Sequence, residues 1–442
     1  MSDLLAIGAS GIKAYSRALS VVADNIANAQ TEGYVRRTVR LEEAPAAGDI
    51  VLSRNSLRPG GVLAAGVTRA VDAWLSDDAR TASGEAARQS ARLDWISATE
   101  RALDDGADGI GSSVTAIFTA ADQLSANPGD QTLRRQFLSA IDQSATAFRR
   151  TATSLASAAN GVTTEAQGAV GQLNTDLAAL SRVNDGIRRA RPGSSNEATL
   201  LDERDRLVGN IAGATDVAVS YDGRGAAIVR TPSGDPLVDG QSIATVTLAV
   251  AANGQISFGI TPGGSLVPGS GQLVGLADAS AHISAQRMAL DTLAAQLSSD
   301  LNAAHQAGID ANGNPGAALL NFNGGTATVT AVVLLPADVA AADGSGSNGN
   351  MLALNTLRGP GGIEQNVAAM IASQAQTTAA ARSQEAAAST RRDGAFAARD
   401  AIGAVDLDRE AAELMRFQQA YEAAARTIQV ARETMQTMLN IF

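Results

Sequence analysis

Few residues in this chain belong to the types that perform catalysis or bind metal ions. The 442-residue sequence contains no cysteine and only two histidines, His282 and His305. Thiol catalysis and cysteine-ligated zinc or iron–sulfur sites are therefore excluded, and little remains for acid–base chemistry by histidine. His305 follows Asn302 on a predicted helix, and we interpret it as a hydrogen-bonded structural histidine. The sequence predicts a protein that is not an enzyme and has no catalytic residue, cofactor or metal ion.

Three short motifs resemble chemical sites but depart from them. The run 344–349 has the glycine spacing of a dinucleotide-binding loop, yet 43 glycines in the chain make a chance match expected. Asp310, Asn312 and Asn314 resemble the start of a calcium loop, but proline stands where that loop requires glycine, so we predict a turn. The charged run 201–207 could imitate a catalytic carboxylate pair. Its alternating charges favour a salt-bridged helix face.

Composition and charge exclude several classes of protein. Hydrophobic residues make up 45% of the chain, enough to bury a core, and the length favours more than one domain. With 34 basic and 45 acidic residues the net charge is −11, which disfavours binding to nucleic acid. Apolar stretches do not approach the ~20 residues that span a bilayer, so no membrane insertion is expected. Asp3 and Lys13 interrupt the N-terminal segment, and we expect no cleaved secretory signal.

Both ends of the chain carry apolar residues in a heptad repeat, which predicts two long helices that pack against other helices. Near the N-terminus the repeat comprises Leu5, Ile12, Leu19 and Ile26, with Met1, Gly8, Tyr15 and Val22 in a companion row. Near the C-terminus it comprises Leu407, Leu414, Tyr421, Ile428, Met435 and Phe442, with Phe417, Ala424, Ala431 and Met438 in a companion row. The partner of each helix is either the other terminus, in an ordinary intramolecular pair, or a neighbouring copy of the chain. We favour assembly with other copies, because the repeat continues to the last residue.

Between the ends, the hydrophobic period alternates between helix and strand. Helical spacing is predicted over 71–212, with breaks at 105–111, 127–130, 160–161 and 191–196, and again over 273–307 and from 363. Short β-rich runs with hairpin-type turns fill 216–271, and a second strand-like stretch covers 310–350, with 326–335 as its clearest strand. The predicted fold is mainly α with an inserted β domain: terminal helices forming a coiled coil, a long helical-bundle rod domain and an outer β-rich domain.

The alternation of helix and strand also predicts the domain boundaries. We assign 1–45 and 395–442 to a terminal coiled-coil assembly domain, 46–214, 272–307 and 353–394 to the helical rod domain, and 215–271 and 308–352 to the outer β-rich domain. Because the chain passes outwards and returns, its first and last parts are expected to lie together.

The residues that leave the first helix carry the most specific signal. The segment from Asn25 through Asn28 and Gly33 to Tyr34 closely resembles the N-I-x-N-x-x-T-P-G-Y signature of the flagellar axial proteins, the rod, hook and hook-associated family. Asn25 and Asn28 lie one helical turn apart, and Gly33 permits the positive φ of a bend. Glu32 departs from the family, which usually has proline there, and this should weaken the turn slightly.

Other segments extend the resemblance along the chain. Residues 405–408, 414–421 and 425–428 resemble the closing helix of the family. Residues 201–207, 290–294 and 302–308 resemble internal motifs of its hook-associated members, which the hook and rod proteins lack. These internal segments favour a hook-associated protein over the other branches.

The resemblance implies a structural subunit of the bacterial flagellum that forms the junction ring between hook and filament through head-to-tail helical assembly of its terminal helices. It implies four partners: other copies of the chain in the ring, the hook protein, the next hook-associated junction protein towards the filament, and a cytoplasmic export chaperone at the C-terminal helix. The implied location is extracellular, at the hook–filament junction, after type III export. The alternatives are a hook or distal rod subunit and, further off, a secreted enzyme or adhesin with axial-type ends.

Overall fold

The computed structural model describes residues 2–31, 33–44, 60–103 and 106–440. The remaining residues are not described, so Met1 and Phe442 in the predicted terminal rows, Glu32 in the predicted turn and Asp105 in the first predicted helix break lie outside the described residues.

Long helices dominate the described chain, and small antiparallel sheets interrupt them. The helices are α1 (Ser2–Ala27), α2 (Ala73–Ala102), α3 (Ile110–Ala126), α4 (Gln131–Arg189), α5 (Ser195–Ala214), α6 (Gln272–Gln306), α7 (Gly349–Ala353), α8 (Ile363–Gly403) and α9 (Leu407–Leu439). The strands are β1 (Arg37–Ala44), β2 (Gly61–Arg69), β3 (Ala218–Tyr221), β4 (Ala227–Arg230), β5 (Pro236–Asp239), β6 (Ser242–Ile243), β7 (Thr245–Val250), β8 (Ile256–Thr261), β9 (Ser265–Leu266), β10 (Leu320–Asn321) and β11 (Thr330–Ala331). The predicted class, mainly α with inserted β structure, is confirmed.

The two ends of the chain lie side by side, as predicted. Helix α1 packs along α9, and α2 packs along α8. The α2–α8 contact includes Ala79, Ala82 and Ala395, which are all buried. Small side chains at these positions let the two helices approach closely.

Helix α4 runs through a predicted break without interruption. The sequence predicts a break at Asn160-Gly161, but α4 continues for 59 residues, roughly 90 Å at the standard helical rise. A Cβ on Gly161 would lie 2.2 Å from Cη2 of Trp95. Packing of the Trp95 ring therefore requires glycine here, and tertiary contact offsets the ~1 kcal/mol by which glycine disfavours a helix.

Two separate cores lie along the α4–α6 pair. One joins α3, the first half of α4 and the second half of α6 to segments within 319–367. The other joins α5, the second half of α4 and the first half of α6 to strands β4 to β9. Because α6 has 35 residues, roughly 50 Å of helix separates the two insertions. The prediction that 215–271 and 308–352 form one outer β-rich domain is therefore wrong.

The second insertion contains little strand. The predicted strand 326–335 is a 3₁₀ turn at Thr326–Thr328 followed by the two residues of β11. The Thr326 amide and hydroxyl donate to Asp291 Oδ1 at 2.7 and 2.6 Å, and Arg149 Nη1 donates to the Val329 carbonyl at 2.7 Å. Hydrogen bonds to α6 and α4 thus take the place of the strand-to-strand hydrogen bonds that the β-branched residues of this segment favour. The strand prediction is wrong over most of its length.

The unit formed by the two termini extends further along the N-terminal segment than predicted, and it begins later in the C-terminal segment. Strand β2 pairs with β1 and packs on α1, so the hairpin belongs with the terminal helices although the predicted boundary at 45/46 divides it. Helix α8 continues past the predicted boundary at 394/395 to Gly403, and the chain bends at 404–406. Periodicity could not locate either boundary, because both depend on which elements pair.

Candidate assembly interface

Two glycines of α1, Gly8 and Gly11, lie against α9, and Val21 packs instead on Val67 and Ala198. The buried positions of α1 are Gly8, Gly11, Ala14, Ala18, Val21, Val22 and Asn25. A Cβ on Gly8 would lie 2.6 Å from Cγ1 of Ile428, so glycine permits the close approach of α9. Further along, the rings of Tyr15 and Phe417 lie 6.5 Å apart. The two termini therefore form an intramolecular pair, one of the two partners that the sequence left open.

The large apolar residues predicted as the α1 row lie beside this contact. Leu5, Ile12 and Leu19 are half-buried, and Ile26 is 37% exposed. Within the chain this row lies beside the contact, whereas Gly8 and Tyr15 of the predicted companion row lie in it, against Ile428 and Phe417. Whether the row contributes to assembly remains a prediction.

The predicted α9 row divides between the two sides of the helix pair. Leu414, Phe417 and Ile428 are half-buried. Leu407, Tyr421 and Met435 are 53%, 36% and 37% exposed. Within the described part of α9 only Glu410 and Ala431 are fully buried. Much of the apolar surface of this helix therefore faces outwards.

Asn25 joins the exit of α1 to the beginning of α9. Its Oδ1 accepts hydrogen bonds from the Tyr34 hydroxyl at 2.8 Å and the Arg37 amide at 3.0 Å. Its Nδ2 donates to the Arg37 carbonyl at 2.8 Å and to Glu410 Oε2 at 2.9 Å. A fully buried side-chain amide needs such partners for both of its polar atoms. Asn25 thus holds three segments together.

Glu410 forms an ion pair with Arg36 in addition to its hydrogen bond with Asn25. Its carboxylate is fully buried, and Arg36 Nε donates to its Oε1 at 2.6 Å. The preceding turn begins at Asp406, whose side chain accepts from the amides of Asp408 and Arg409 at 2.9 and 3.3 Å, as the predicted N-cap requires. We call Asn25, Tyr34, Arg36 and Glu410 the exit cluster.

The remaining signature residues shape the bend after α1. Asn28 Nδ2 donates to the Asp24 carbonyl at 2.9 Å, and the Thr31 hydroxyl donates to Asn28 Oδ1 at 3.3 Å. Gly33 has φ of 77°, as its glycine predicted. Burial raises the pKa of Tyr34 to about 12. The phenol therefore stays protonated and donates to Asn25 throughout the neutral range.

The charged run 201–207 forms a second polar cluster beneath the hairpin. Asp202 accepts from Arg37 Nη2 at 2.6 Å and from Arg69 Nε at 2.7 Å, and Arg69 Nη2 donates to Asp205 at 2.7 Å. Arg204 Nε donates to Asp205 Oδ1 at 2.8 Å. We call these five residues the Asp202 cluster. The prediction of a salt-bridged helix face is confirmed, although its partners lie on the β1–β2 hairpin as well as on α5.

The other candidate chemical residues have structural roles. The buried His305 donates from Nδ1 to the Ala317 carbonyl at 2.6 Å and accepts at Nε2 from the Ala340 amide at 2.9 Å. Desolvation lowers the pKa of His305, so this neutral tautomer persists. Asp310 accepts from the amides of Asn312 and Asn314, both at 2.8 Å, which confirms the predicted turn.

The described residues carry no candidate metal site and no membrane-spanning helix. They contain no group of three His, Asp or Glu side chains placed to hold a metal ion. Among the same residues no helix is long and apolar enough to cross a membrane.

Known protein families match both the internal helices and the terminal helices of the chain. A sequence profile described as "Flagellar hook-associated protein FlgK helical domain" matches residues 96–320, slightly more than half of the chain. The chain belongs to the FlgK family. Profiles of the "Flagella basal body rod protein" and of the "Flagellar basal body rod FlgEFG protein C-terminal" match residues 5–34 and 404–441. These two ranges cover α1 with its exit, and α9.

Relatives named flagellar hook-associated protein 1 extend the family match. The protein of Salmonella typhimurium strain LT2 is 27% identical over 328 residues, which cover 72% of this chain and 59% of the relative. The chain therefore spans 59% of the length of that relative. The protein of Bacillus subtilis strain 168 is 25% identical, with 97% of this chain and 96% of the relative covered.

A solved FlgK structure is similar in fold to part of this chain. The flagellar hook junction protein FlgK from Burkholderia pseudomallei matches with a TM-score of 0.50 and 21% sequence identity. The match covers 55% of this chain and 46% of that one.

Sequence reasoning missed most of the residues that join the terminal helices of this FlgK family member to its helical unit. Arg36, Arg69 and Glu410 received no role as partners, and Asp202 was placed only on a charged face. The available signal was the coincidence of unusual motifs: an arginine pair directly after the Gly33-Tyr34 bend, and an alternating charged run elsewhere in the chain. Composition alone could not show that these two motifs meet.

Proposed function

We propose that the protein is a structural subunit of the bacterial flagellum that forms the junction ring between hook and filament. The observation that carries this proposal is the apolar surface left on the α1–α9 pair. Leu4 and Ile7 of α1 are 48% and 40% exposed, and Met415, Val430 and Leu439 of α9 are 58%, 61% and 70% exposed. A helix pair that has formed and still exposes such residues on both members favours packing into an assembly.

The exit cluster and the Asp202 cluster support the same proposal. A helical assembly requires each subunit to present its terminal helices at one fixed orientation to the rest of the chain. Glu410 holds α9 to the exit of α1, and Asp202 holds the hairpin to α5 through two arginines. These buried, charge-assisted bonds restrict the orientation of the pair more than apolar contact alone would.

The proposed partners follow from the family and the exposed surface. Other copies of the chain contact the terminal helices in a ring, the hook protein lies below the ring, and the next hook-associated protein lies above it. Before assembly a cytoplasmic export chaperone covers α9, because an exposed apolar helix is suited to binding in a groove of a partner. The assembled protein is extracellular, and we assign it no catalytic role.

A hook or rod subunit is the second candidate, and the matches at residues 5–34 and 404–441 to rod-protein profiles favour it. These matches cover the terminal helices alone. The match over 96–320 lies in the internal domain, and it favours the junction.

Immunogold labelling of isolated flagella tests the proposal. We expect label at the tip of the hook, between hook and filament. Cells that lack the protein should build hooks of normal length, add no filament and release flagellin. Label along the whole hook would favour the second candidate, and filaments of ordinary length on the deletion cells would refute both.

A further inference from the structure

An apolar patch remains exposed where the α2–α8 pair meets the terminal helices. Trp74, Val71 and Ile402 are 72%, 43% and 45% exposed, and we call them the Trp74 patch. Gly403 lies against the segment just before α2, because a Cβ on it would be 3.3 Å from the Ala70 carbonyl oxygen. Ile402 is thus at the same end of the helix pair as Val71. An exposed tryptophan beside two aliphatic residues is a typical feature of a docking surface.

A carboxylate without a partner lies beside this patch. Asp78 follows Trp74 by four residues on α2, so the two side chains are neighbours on one helix face. Asp78 is exposed, and no ion pair or hydrogen bond of its side chain occurs within the described chain. The adjacent Asp77, in contrast, pairs with Arg80 at 2.8 Å.

The outer face of α9 has the complementary pattern. Arg426 and Val430 are also four residues apart, both are exposed, and Arg426 has no ion-pair partner in the described chain. Ile428, which packs at Gly8, lies two residues from each of them and so points to the opposite side of the helix. Met415 lies on the same outer face, three turns earlier, and is 58% exposed.

We propose that the outer face of α9 from a second copy docks on the Trp74 patch, with Val430 against Trp74 and Arg426 against Asp78. This inference rests on the proposed self-assembly and names the surfaces that meet. Each helix presents one apolar and one charged residue at a spacing of one turn, so both contacts form together when the helices run antiparallel. The two charges that lack partners within one chain then pair between chains.

Charge favours α9 over α1 as the docking helix. The positions one turn from the exposed Leu4 and Ile7 of α1 include no arginine or lysine, whereas Arg426 lies one turn from Val430 on α9. The surfaces that meet are also different on the two copies. Such a heterologous contact repeats from copy to copy and produces a ring or helix, whereas a self-complementary patch would close a dimer.

Cross-linking of paired variants tests the docking directly, because the native chain contains no cysteine. Cells would produce Asp78→Cys and Arg426→Cys chains together in place of the native chain, and a short bismaleimide would be applied to isolated flagella. We expect covalent dimers from the mixture and none from either variant alone. Replacing Asp78→Cys by Val333→Cys, at a position that is 97% exposed on the second insertion, should give no dimers.

Dimers from a single variant would overturn the heterologous contact, and dimers from Asp78→Cys with Ile7→Cys in place of Arg426→Cys would assign the patch to α1. Native protein at the hook tip without dimers from the mixture would overturn the docking and leave the junction role intact. Native protein missing from the hook tip would overturn the proposed function itself.

Exchanging the charges of Asp78 and Arg426 gives a second test, because rescue by the double exchange requires the two residues to meet. Asp78→Arg or Arg426→Asp alone should lower the number of filament-bearing cells about tenfold, because attraction becomes repulsion, and the two changes together should restore filaments. Urea unfolding of each purified variant should match the native chain. A double variant no better than either single variant would overturn the pairing.

Discussion

Helices α4 and α9 are both long, but they differ in what covers them. Along α4 the buried side chains include Phe137, Phe148 and Leu177, which two cores of the same chain enclose. Along α9 only Glu410 and Ala431 are buried in the described residues. Since most helix stability in proteins comes from packing, α4 has its stability supplied by its own chain. Helix α9 packs along α1 on one side and leaves most of its remaining surface exposed.

The largest effect should come from the core of α4. Phe148→Ala removes a fully buried ring between α3, α4 and α6, and should lower the free energy of unfolding by about 3–5 kcal/mol. Urea unfolding followed by circular dichroism measures the loss. Met415→Ala on the outer face of α9 is the matched control and should leave the midpoint nearly unchanged. Equal losses would show that the two helices are covered to the same extent.

A smaller loss is expected from the Asp202 cluster. Asp202→Ala leaves the guanidinium groups of Arg37 and Arg69 buried with one partner fewer, and removing one member of a buried pair costs about 3 kcal/mol. The loss should also loosen the hairpin, so hydrogen exchange in β1 and β2 should quicken more than in α4. Asp78→Ala, at an exposed carboxylate, is the control. Uniform acceleration across the chain would contradict a local role.

The difference between the two helices can be sharpened by a variant within the α1–α9 contact. Ile428→Asp places a charge in the α1–α9 contact, where it meets the Gly8 face. We expect the thermal midpoint of the helical unit to change little, while cells carrying the variant fail to add filaments. Val333→Asp, far from the contact, should support filaments. Normal filaments with Ile428→Asp would show that this contact is not required for assembly.

Local sequence signals predicted the helices, strands and turns better than they predicted which of these elements pack together. The hairpin turns and strands of 216–271 were found because their strand period and turn residues are local, and the Asp406 cap and the Gly33 bend are local as well. The continuous helix at Gly161 could not be predicted because it depends on Trp95. The predicted strand 326–335 did not form over most of its length, because Thr326 donates to Asp291 and Val329 accepts from Arg149.

In the candidate interface, too, local motifs could be predicted and their distant partners could not. The exit signature identified Asn25, Gly33 and Tyr34, whereas Glu410 lies 385 residues from Asn25 in sequence. In the α1–α9 contact Gly8 and Gly11 are buried against α9, whereas the large residues Leu5, Ile12 and Leu19 are only half-buried. The heptad pattern placed Gly8 and Ala424 in its companion rows, but periodicity describes one helix at a time and could not show that these rows meet.

The smallest expected effect concerns Tyr34, whose burial ties the bend to the exit cluster. Because its pKa is raised from the ordinary value of 10 to about 12, the folded chain keeps the phenol protonated where the unfolded chain loses the proton. The stability that this group contributes is therefore complete below pH 10 and is lost as the pH rises towards 12. Urea unfolding between about pH 9 and 11 should show a steeper decline for the native chain than for Tyr34→Phe. Tyr421→Phe, on the exposed part of α9, should decline as the native chain does. Parallel curves for all three proteins would mean that Tyr34 titrates normally and that the bend is open to solvent, as the outer face of α9 is.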